Sequence, residues 1–348
     1  MMELPRSMTA VVNHGAEPKS VSCRELPVPP IGEEDVLLEV RAVGICGSDV
    51  HQWMGTHSWP VNYPVTLGHE FSGVIVGTGS RVRSFSRGDR VTSETAAVID
   101  PESPLSRQGR YHLDPARLGF GYGVDGAMAR FVRVPERCLH RIPPNVSFER
   151  AALTEPCSVA YHAVCLRTRI EPGDQVLVLG PGPIGILCGI MARLSGAGRV
   201  LVSGLASDTH RLSVAGRMGL DTVSAGEAVD SVRAAGDGLG AEVVIDAAGV
   251  SKSLEAAMEA VRPGGQITKV GWGRAPVGVS LDPIVSKAVT LRGSFSHYWD
   301  VWERVLRLLE TGQLDVDPLV DGVMPLDAWE DAFERMHGCE YVKIVLRP

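Results

Sequence analysis

The sequence predicts an α/β protein that joins a β-rich first part to a doubly wound parallel sheet covered by helices on both faces. Short strand-like runs such as MTAVVNHG, DVLLEVRAVGIC and EFSGVIVG fill the first part, with proline and glycine clusters between them. Many short strands separated by turns are typical of a partly open barrel or sandwich. From about residue 155, short apolar runs alternate with helix-like segments. That alternation is typical of a parallel sheet buried on both faces.

The second part contains apolar runs with the length of strands and helix-like segments between them. The predicted strands are 175–180, 199–204, 241–249, 266–271 and 289–293. The predicted helices are 184–195, 208–218 and 253–261. A helix at 299–310 and a closing strand at 341–346 are too small for a domain, so we expect them to pack on the first part. The sequence therefore predicts two domains, namely residues 1–157 completed by 296–348, and residues 158–295.

Composition and charge narrow the class of protein. The 348 residues suit two cores, and 44% hydrophobic with 22% charged residues is ordinary for a soluble enzyme. The net charge is −7 and the basic residues are scattered, which indicates neither a nucleic-acid surface nor a membrane surface. No apolar run approaches the roughly 20 residues that span a bilayer. Seven cysteines without an export-like leader predict reduced thiols in the cytoplasm.

A glycine-rich loop follows the strand at 175–180 and matches the pattern G-x-G-x-x-G. The loop consists of Gly180, Pro181, Gly182, Pro183, Ile184 and Gly185. The pattern alone is weak, but here it ends a strand and opens a helix. Gly180 allows the tight turn, Gly182 lets the backbone approach a pyrophosphate, and Gly185 lets the helix lie close to the strand. With the positive end of the helix beside it, the loop predicts a Rossmann dinucleotide site. The alternative is a structural turn without a ligand.

The end of the second strand of such a unit usually carries a carboxylate that binds the adenosine ribose. This chain has Ser203 and Gly204 there, and Arg211 lies a short distance on. A carboxylate would repel a 2′-phosphate, whereas an arginine would bind it. The sequence therefore favours NADP over NAD. The alternative is that Asp208 binds the ribose and Arg211 covers the adenine.

Four potential metal ligands, Cys46, His69, Glu70 and Glu155, are spread over the first part. Taken singly, each has a commoner explanation. A lone cysteine is more often a small buried apolar residue, and a lone glutamate is usually solvated. A lone histidine is more often structural. The order of the four residues and their neighbours is more informative than any one of them.

Residues 46–49 are CGSD, 68–70 are GHE and 155–156 are EP, and the glycine loop follows them. In this order they resemble the zinc-containing medium-chain alcohol dehydrogenases, and the resemblance covers nearly the whole chain. The Glu-Pro pair and residues 109–111, GRY, resemble the polyol branch of that family, which includes sorbitol dehydrogenases. Threonine dehydrogenase is also similar.

The resemblance implies a GroES-like catalytic domain and a Rossmann domain, with one catalytic zinc in the cleft between them. Cys46 and His69 would bind zinc directly. Glu70 and Glu155 would complete the coordination sphere of the zinc. One would bind directly and the other through water or by exchange, and which residue takes which role stays open. A thiolate, an imidazole and a carboxylate suit tetrahedral zinc with one place left for water or substrate. Asp49 would orient His69.

The resemblance also implies the reaction, in which zinc acts as a Lewis acid on a secondary alcohol and hydride passes to the nicotinamide. Glu70 would be catalytic as well as a ligand. The proton would leave through the Ser48 hydroxyl and the nicotinamide ribose to His51, whose usual pKa suits a shuttle near neutral pH. The alternatives are that Ser48 is a turn hydroxyl and that His51 is a surface histidine.

Many members of the family bind a second, structural zinc through cysteines spaced C-x2-C-x2-C-x7-C. When residues 109–113 are aligned with the lobe that carries these cysteines in the family, this chain has no cysteine at any of the four positions. The four positions are Asp100, Ser103, Ser106 and Asp114. Two serines and two aspartates do not form a structural zinc site, so we expect one zinc per chain.

The resemblance places Trp53, Glu94, Ser296 and His297 near the substrate. Sorbitol dehydrogenases have an arginine and a tyrosine around the last two positions, so we do not expect sorbitol itself. These polar groups favour a hydroxyl-rich substrate such as a sugar alcohol, sugar acid or cyclitol over ethanol, and threonine is the nearest competitor. Other classes also share the fold, namely zinc-free quinone or enoyl reductases and non-catalytic dinucleotide-binding proteins. The resemblance further implies a homodimer or homotetramer joined through the sheet edge near residues 270–295.

Overall fold

A computed structural model describes residues 4–348 of the chain. The described residues form two compact units. The first contains the chain up to Glu155 together with Tyr298–Gly338 and Lys343–Pro348, and the second contains Pro156–His297 and Cys339–Val342. No helix in the described range is both long and apolar enough to cross a membrane.

In chain order the strands are β1 (Ser7–Asn13), β2 (Val21–Pro27), β3 (Asp35–Gly44), β4 (Val65–Thr66), β5 (Glu70–Thr78), β6 (Arg90–Ser93), β7 (Phe131–Pro135), β8 (Leu139–Arg141), β9 (Gln175–Leu179), β10 (Arg199–Gly204), β11 (Asp221–Ser224), β12 (Ala241–Asp246), β13 (Val261–Lys269), β14 (Thr290–Gly293), β15 (Val320–Pro325) and β16 (Lys343–Arg347). The α-helices are α1 (Gly47–Trp53), α2 (Pro104–Arg107), α3 (Phe148–Ala152), α4 (Thr154–Tyr161), α5 (Pro183–Leu194), α6 (Thr209–Arg217), α7 (Ala228–Ala234), α8 (Ser251–Ala260), α9 (Asp282–Ser286), α10 (Trp299–Glu310) and α11 (Trp329–His337).

The first unit is built on short, mainly antiparallel strands. One sheet has the order β2-β1-β4, and a larger sheet has the order β15-β16-β3-β5-β6-β8, with β7 paired to β3. Strand β3 is central because it pairs with β5, β7 and β16, and most of its side chains are buried. The register sets Gly44, the last residue of β3, opposite Glu70, the first residue of β5. The β-rich part predicted from the sequence is therefore confirmed.

The second unit is a parallel sheet of six strands in the order β11-β10-β9-β12-β13-β14. Counted within the unit, this is the order 3-2-1-4-5-6 of the Rossmann fold. All five residues of β9, QVLVL, are buried, as expected for a strand covered by helices on both faces. The strand order reverses between β9 and β12, and the glycine loop leaves the end of β9. Ligands of doubly wound sheets bind at such a switch point.

Several elements of the second unit, among them β11, α7 and α9, were not predicted from the sequence. Strand β11 is DTVS, which is short and polar, and three of its four residues are exposed. An edge strand that buries so little apolar surface leaves no hydrophobic pattern to detect. The predicted helix at 299–310 coincides with α10, whereas the closing strand starts at Lys343 rather than at residue 341.

Candidate metal centre and cofactor loop

Three donor side chains converge in the first unit. Donor atoms of Cys46, His69 and Glu70 all lie within 4.8 Å of one another. Cys46 directly precedes α1, and His69 directly precedes Glu70, which begins β5. The pairing of β3 with β5 brings these segments together, because β3 ends close to Cys46 and β5 starts at Glu70. His69 is 7% exposed and Glu70 is fully buried, so both donors lie in an environment of low dielectric.

Asp49, in the first turn of α1, connects the two segments that carry these donors. Its Oδ2 accepts a hydrogen bond of 2.9 Å from the backbone N–H of Cys46, and its Oδ1 accepts one of 3.3 Å from the N–H of Gly68. The same Oδ1 lies 3.7 Å from Nδ1 of His69. Burial raises the pKa of Asp49, and the charge of His69 opposes that shift. One buried carboxylate thus holds both donor segments and faces the imidazole.

The surroundings of His69 favour positive charge. Burial alone would lower the pKa of this imidazole, but Asp49, Cys46 and Glu155 raise it well above the ordinary value. Groups that stabilise a proton on a buried imidazole also stabilise a cation bound in its place. A thiolate, an imidazole and a carboxylate are the donors that Zn²⁺ takes in proteins. Both the charge and the chemistry of this donor set therefore fit Zn²⁺.

Lys343, at the start of β16, binds the Glu70 carboxylate. Its Nζ lies 2.9 Å from Oε1 and 2.8 Å from Oε2 of Glu70, and it also donates to the carbonyl oxygen of Ile45 at 2.9 Å. Burial raises the pKa of Glu70, and Lys343 opposes that shift. This residue was not predicted from the sequence. A lysine within the apolar run YVKIVL was the available signal, because a lysine is rarely buried without a partner.

Glu155, the second residue of α4, is 7% exposed. It lies near enough for its charge to raise the pKa of both His69 and Glu70. The closely spaced group nevertheless consists of Cys46, His69 and Glu70. The division of the remaining metal position between Glu70 and Glu155 stays a prediction.

The glycine loop of the second unit has the geometry that its pattern predicts. Gly180 has φ +99°, which favours glycine, and a Cβ there would lie 3.1 Å from Ala248. A Cβ on Gly185 would collide with the carbonyl oxygen of Gly180, so the helix approaches the strand closely. A Cβ on Gly182 would meet no atom within 4 Å, which leaves its backbone accessible. Helix α5 begins at Pro183, where the missing N–H removes no hydrogen bond.

Comparisons with known proteins identify the family of the chain. The sequence profile of the alcohol dehydrogenase GroES-like domain matches residues 32–144, and that of the zinc-binding dehydrogenase domain matches residues 183–311. Sorbitol dehydrogenase of Halalkalibacterium halodurans is 36% identical, with 93% of this chain and 95% of the relative covered. D-arabitol-phosphate dehydrogenase of Enterococcus avium is 33% identical, with 92% of each covered.

The chain belongs to the zinc-binding alcohol dehydrogenase family. It is therefore an oxidoreductase, and the predicted GroES-like and Rossmann architecture is confirmed. A zinc-binding dehydrogenase of Sinorhizobium meliloti, solved with NADP bound, has a TM-score of 0.89 at 30% identity and covers 98% of this chain and 99% of its own. The 2R,3R-butanediol dehydrogenase of Bacillus subtilis has a TM-score of 0.88 at 30% identity, with 98% and 100% covered.

Ser48 and His51, the two residues expected to carry the proton, both lie on α1 of the present chain. Oγ of Ser48 is 3.4 Å from Nε2 of His69, so the hydroxyl borders the metal centre. Nδ1 of His51 is 2.9 Å from Oγ1 of Thr56. Burial, together with the charges of His337 and His57, lowers the pKa of His51. The lowered pKa favours the neutral form of the imidazole, which has the lone pair that a proton acceptor needs.

Two of the residues expected near the substrate are held inside the first unit. Trp53 is 2% exposed and packs edge-on against Phe333, with ring centroids 6.0 Å apart. Glu94 is also 2% exposed, accepts a hydrogen bond of 2.5 Å from the Tyr111 hydroxyl and lies 3.4 Å from Nε2 of His140. These partners give both side chains a structural role. Contact with the substrate stays a prediction for each.

The other two expected substrate residues lie in the second unit. Ser296 has φ +56°, a left-handed backbone conformation that is uncommon for a residue other than glycine. His297 is 2% exposed. Such strain often occurs at binding sites, but the role of these residues in binding the substrate also stays a prediction.

The residues expected to choose between NAD and NADP are more constrained than the sequence indicated. The Ser203 hydroxyl is buried and donates to the carbonyl oxygen of Val178 at 3.3 Å. Asp208 accepts a hydrogen bond of 2.9 Å from the Leu205 N–H and lies 3.8 Å from Arg211. A Cβ on Gly204 would lie 2.7 Å from Pro181, so close packing also requires this glycine. Among the residues named, Arg211 is the one with a charge suited to a phosphate.

The lobe that lacks the four cysteines is held by hydrogen bonds. Oδ2 of Asp114 accepts from the hydroxyls of Ser103 at 2.7 Å and Ser106 at 3.2 Å, and its Oδ1 accepts from the Ala116 N–H at 2.9 Å. Oδ1 of Asp100 accepts from the backbone N–H two residues on. The serines and aspartates that replace the cysteines thus bind one another and the backbone of the lobe.

Proposed function

We propose that this zinc-binding dehydrogenase transfers hydride between a secondary alcohol of a hydroxyl-rich substrate and NAD(P). The substrate class is a polyol, a sugar acid or a cyclitol. The observation that carries the proposal is the convergence of Cys46, His69 and Glu70 in a chain that aligns over more than 90% of its length with dehydrogenases named for sorbitol and D-arabitol phosphate. A zinc-free reductase or a non-catalytic dinucleotide-binding protein has no need of these buried donors.

In this proposal the first unit holds the metal and moves the proton. Cys46 and His69 bind zinc, and Glu70 and Glu155 share the remaining protein position. When bound, zinc supplies a Lewis acid for the alcohol oxygen. The Ser48 hydroxyl, beside His69, would accept the proton that the alcohol loses while it releases its own proton towards His51 on the same helix. The neutral imidazole of His51 accepts that proton and delivers it to water.

The second unit binds the dinucleotide through its glycine loop, and we propose NADP as the preferred form. Support comes from the absence of a carboxylate at the end of β10, where Ser203 and Gly204 stand, and from the nearby guanidinium of Arg211. The Sinorhizobium meliloti neighbour was solved with NADP. A large preference for NAD in steady-state assays would overturn this part of the proposal.

The experiment that tests the proposed reaction is a spectrophotometric screen with purified, zinc-analysed protein. Polyols, sugar acids, cyclitols and threonine are each offered with NAD and with NADP. We expect about one zinc per chain and turnover confined to the hydroxyl-rich compounds. Turnover of threonine alone would reassign the protein to amino-alcohol oxidation. Protein that holds well under one zinc would overturn the zinc-enzyme mechanism.

We also propose a homodimer or homotetramer that resides in the cytoplasm. Strand β14 is at the edge of its sheet and all four of its residues are exposed, which suits pairing with a second copy. Trp272 and Phe295 are exposed beside it, with ring centroids 5.8 Å apart. All seven cysteines are free, as a reducing compartment requires. Light scattering on the eluted protein tests the assembly, and a monomer at micromolar concentration would contradict it.

A further inference from the structure

Lys343 is a buried cation next to the candidate metal centre. It is 2% exposed, and its ammonium group makes three contacts, with Ile45 O and with both carboxylate oxygens of Glu70. An ammonium group has three N–H donors, so these acceptors use all of them. A lone buried charge is strongly unfavourable, and the pairing offsets that cost for both residues.

Three adjacent strands fix the position of this pair. Val345 of β16 lies opposite Gly44 of β3, and Gly44 lies opposite Glu70 of β5. Lys343 is two residues before Val345, so it lies on the same face of the sheet. A Cβ on Gly44 would collide with Oε2 of Glu70, which shows that the carboxylate lies tightly against the backbone of β3. The geometry thus holds Glu70 between a lysine and a glycine.

The charges of the site indicate what this lysine does. Cys46, Glu70, Glu155 and the neighbouring Asp49 together carry four formal negative charges when ionised, and His69 is neutral as a ligand. A divalent metal alone would leave two negative charges uncompensated, and Lys343 offsets one of them. A carboxylate that binds an ammonium group through both oxygens is a weaker donor to a metal than a free carboxylate. Lys343 and the metal therefore compete for Glu70.

We propose that Lys343 is a positioning residue that restrains Glu70 and thereby weakens the hold of the site on its metal. This inference rests on the proposed metal site. The ammonium group binds both Glu70 oxygens, so less of their negative charge would be available to an ion held by Cys46 and His69. The exchangeable coordination position that the substrate needs is kept in this way.

The test is the rate at which zinc passes from the protein to an excess of a chromogenic chelator. Lys343→Met should release zinc about tenfold more slowly than the unmodified protein, because both Glu70 oxygens are then free to bind the ion, whereas loss of a partner that merely supported the ligand would weaken zinc binding by about 10–100-fold. The cobalt-substituted variant should also show altered visible absorption bands, because Glu70 binds the ion more closely. Lys343→Arg should restore both properties towards those of the unmodified protein. Unchanged or faster zinc release, with unchanged cobalt bands, would overturn the proposal.

Controls separate this action from a general loss of stability. Lys269→Met removes a different lysine–carboxylate pair, with Asp246 at 2.9 Å in the second unit, and should leave zinc release unchanged. In a Glu70→Gln background, Lys343→Met should slow release much less, because no carboxylate is left to free. Equal slowing in both backgrounds would overturn the role through Glu70. If Lys343→Met does not fold, Lys343→Gln replaces it in each comparison. Unmodified protein that binds no zinc would instead refute the proposed metal site itself.

Discussion

Asp49 shows how one buried side chain can hold together the two segments of the candidate metal centre. Its two carboxylate oxygens accept hydrogen bonds from the backbone of Cys46 and Gly68, which are the residue that donates the thiolate and the residue before the imidazole. An acceptor with two oxygens suits this place, since each must receive an N–H. An asparagine has one carbonyl oxygen and would present an NH₂ group to the second N–H.

Asp49→Asn should therefore weaken zinc binding by about tenfold and lower the stability of the first unit by roughly 1–3 kcal/mol, the usual cost of an unsatisfied buried donor. Competitive chelator titration and thermal unfolding measure the two effects. Asp125→Asn is the matched control, because Asp125 also accepts a backbone hydrogen bond, of 2.8 Å from the Thr66 N–H. It should change stability alone. Equal zinc affinity in the two variants would contradict the role of Asp49.

Arg211 carries the prediction about the cofactor at the residue scale. Its Nε donates to the carbonyl oxygen of Tyr341 at 3.3 Å, and its Nη1 lies 3.8 Å from Asp208. Arg211→Ala should lower kcat/KM with NADP by about tenfold or more, because a charge-assisted contact with the 2′-phosphate is lost. The value with NAD should change little. A parallel loss with both cofactors would show that the arginine serves the structure of the loop instead.

Sequence reasoning reached some site residues and missed others for a physical reason. Cys46, His69 and Glu70 stand in short patterns whose order resembles that of a known family, so the sequence could name them as candidate metal ligands, and the structure brings their donor atoms together. Lys343 could not be named in this way, since it is 273 residues from Glu70 and only the order of β16, β3 and β5 brings them together. Glu94 was expected near the substrate, but nothing in the sequence indicated that Tyr111 would bind its carboxylate.

At the scale of elements, His140 of β8 connects the end of β6 with α10. Its Nε2 is 3.4 Å from Glu94 and its Nδ1 is 2.5 Å from Glu303. The ring stacks on Trp302 of α10, with centroids 5.4 Å apart. Burial alone would lower the pKa of this histidine, but hydrogen bonds to the two glutamates raise it above the ordinary value. The protonated imidazole therefore stabilises the packing of α10 on the sheet.

The sign of the resulting pH dependence follows from the raised pKa. The native state binds the proton on His140 more tightly than the unfolded state, so the stabilisation is complete below about pH 6.5, the usual pKa of histidine. It is lost as the pH rises through the raised pKa. His140→Phe keeps the ring stacking but removes the titrating group. The unmodified protein should therefore melt a few degrees higher than the variant at low pH, and the two melting temperatures should converge at high pH. If the melting temperature depended on pH in the same way in both proteins, the assignment to His140 would be wrong.

The elements that the sequence predicted best are those that bury the most apolar surface. Strand β9 and helix α10 have clear apolar patterns, and both were predicted close to their observed bounds. Strand β11 and helix α7 were missed, because β11 is exposed and α7 buries only Ala228 and Val232. The alternation of strands and helices predicts a parallel sheet but not the order of its strands, and the reversal between β9 and β12 is visible only in the structure.

At the scale of the whole molecule, the metal donors and the dinucleotide loop belong to different compact units. Cys46, His69 and Glu70 lie in the first unit, and the glycine loop lies between β9 and α5 of the second unit. The two binding functions should therefore be separable by experiment, although turnover requires both. Removal of zinc should leave the dinucleotide-binding unit folded, and loss of the dinucleotide should leave the unit that holds the metal donors folded.

Removal of zinc with a chelator should abolish turnover and lower the melting temperature of the first unit. The affinity for reduced dinucleotide should change by less than about twofold, because each unit has its own core. The first unit should lose stability because the buried charges of Glu70 and Lys343 would remain beside the uncompensated thiolate of Cys46 and carboxylate of Glu155. Dinucleotide fluorescence and calorimetry measure the two effects. Gly182→Val is the reciprocal variant, since its side chain would fill the open space at the loop and should block the dinucleotide while one zinc per chain is retained. If zinc removal abolished dinucleotide binding as well, the two sites would be coupled, and their independence would be wrong.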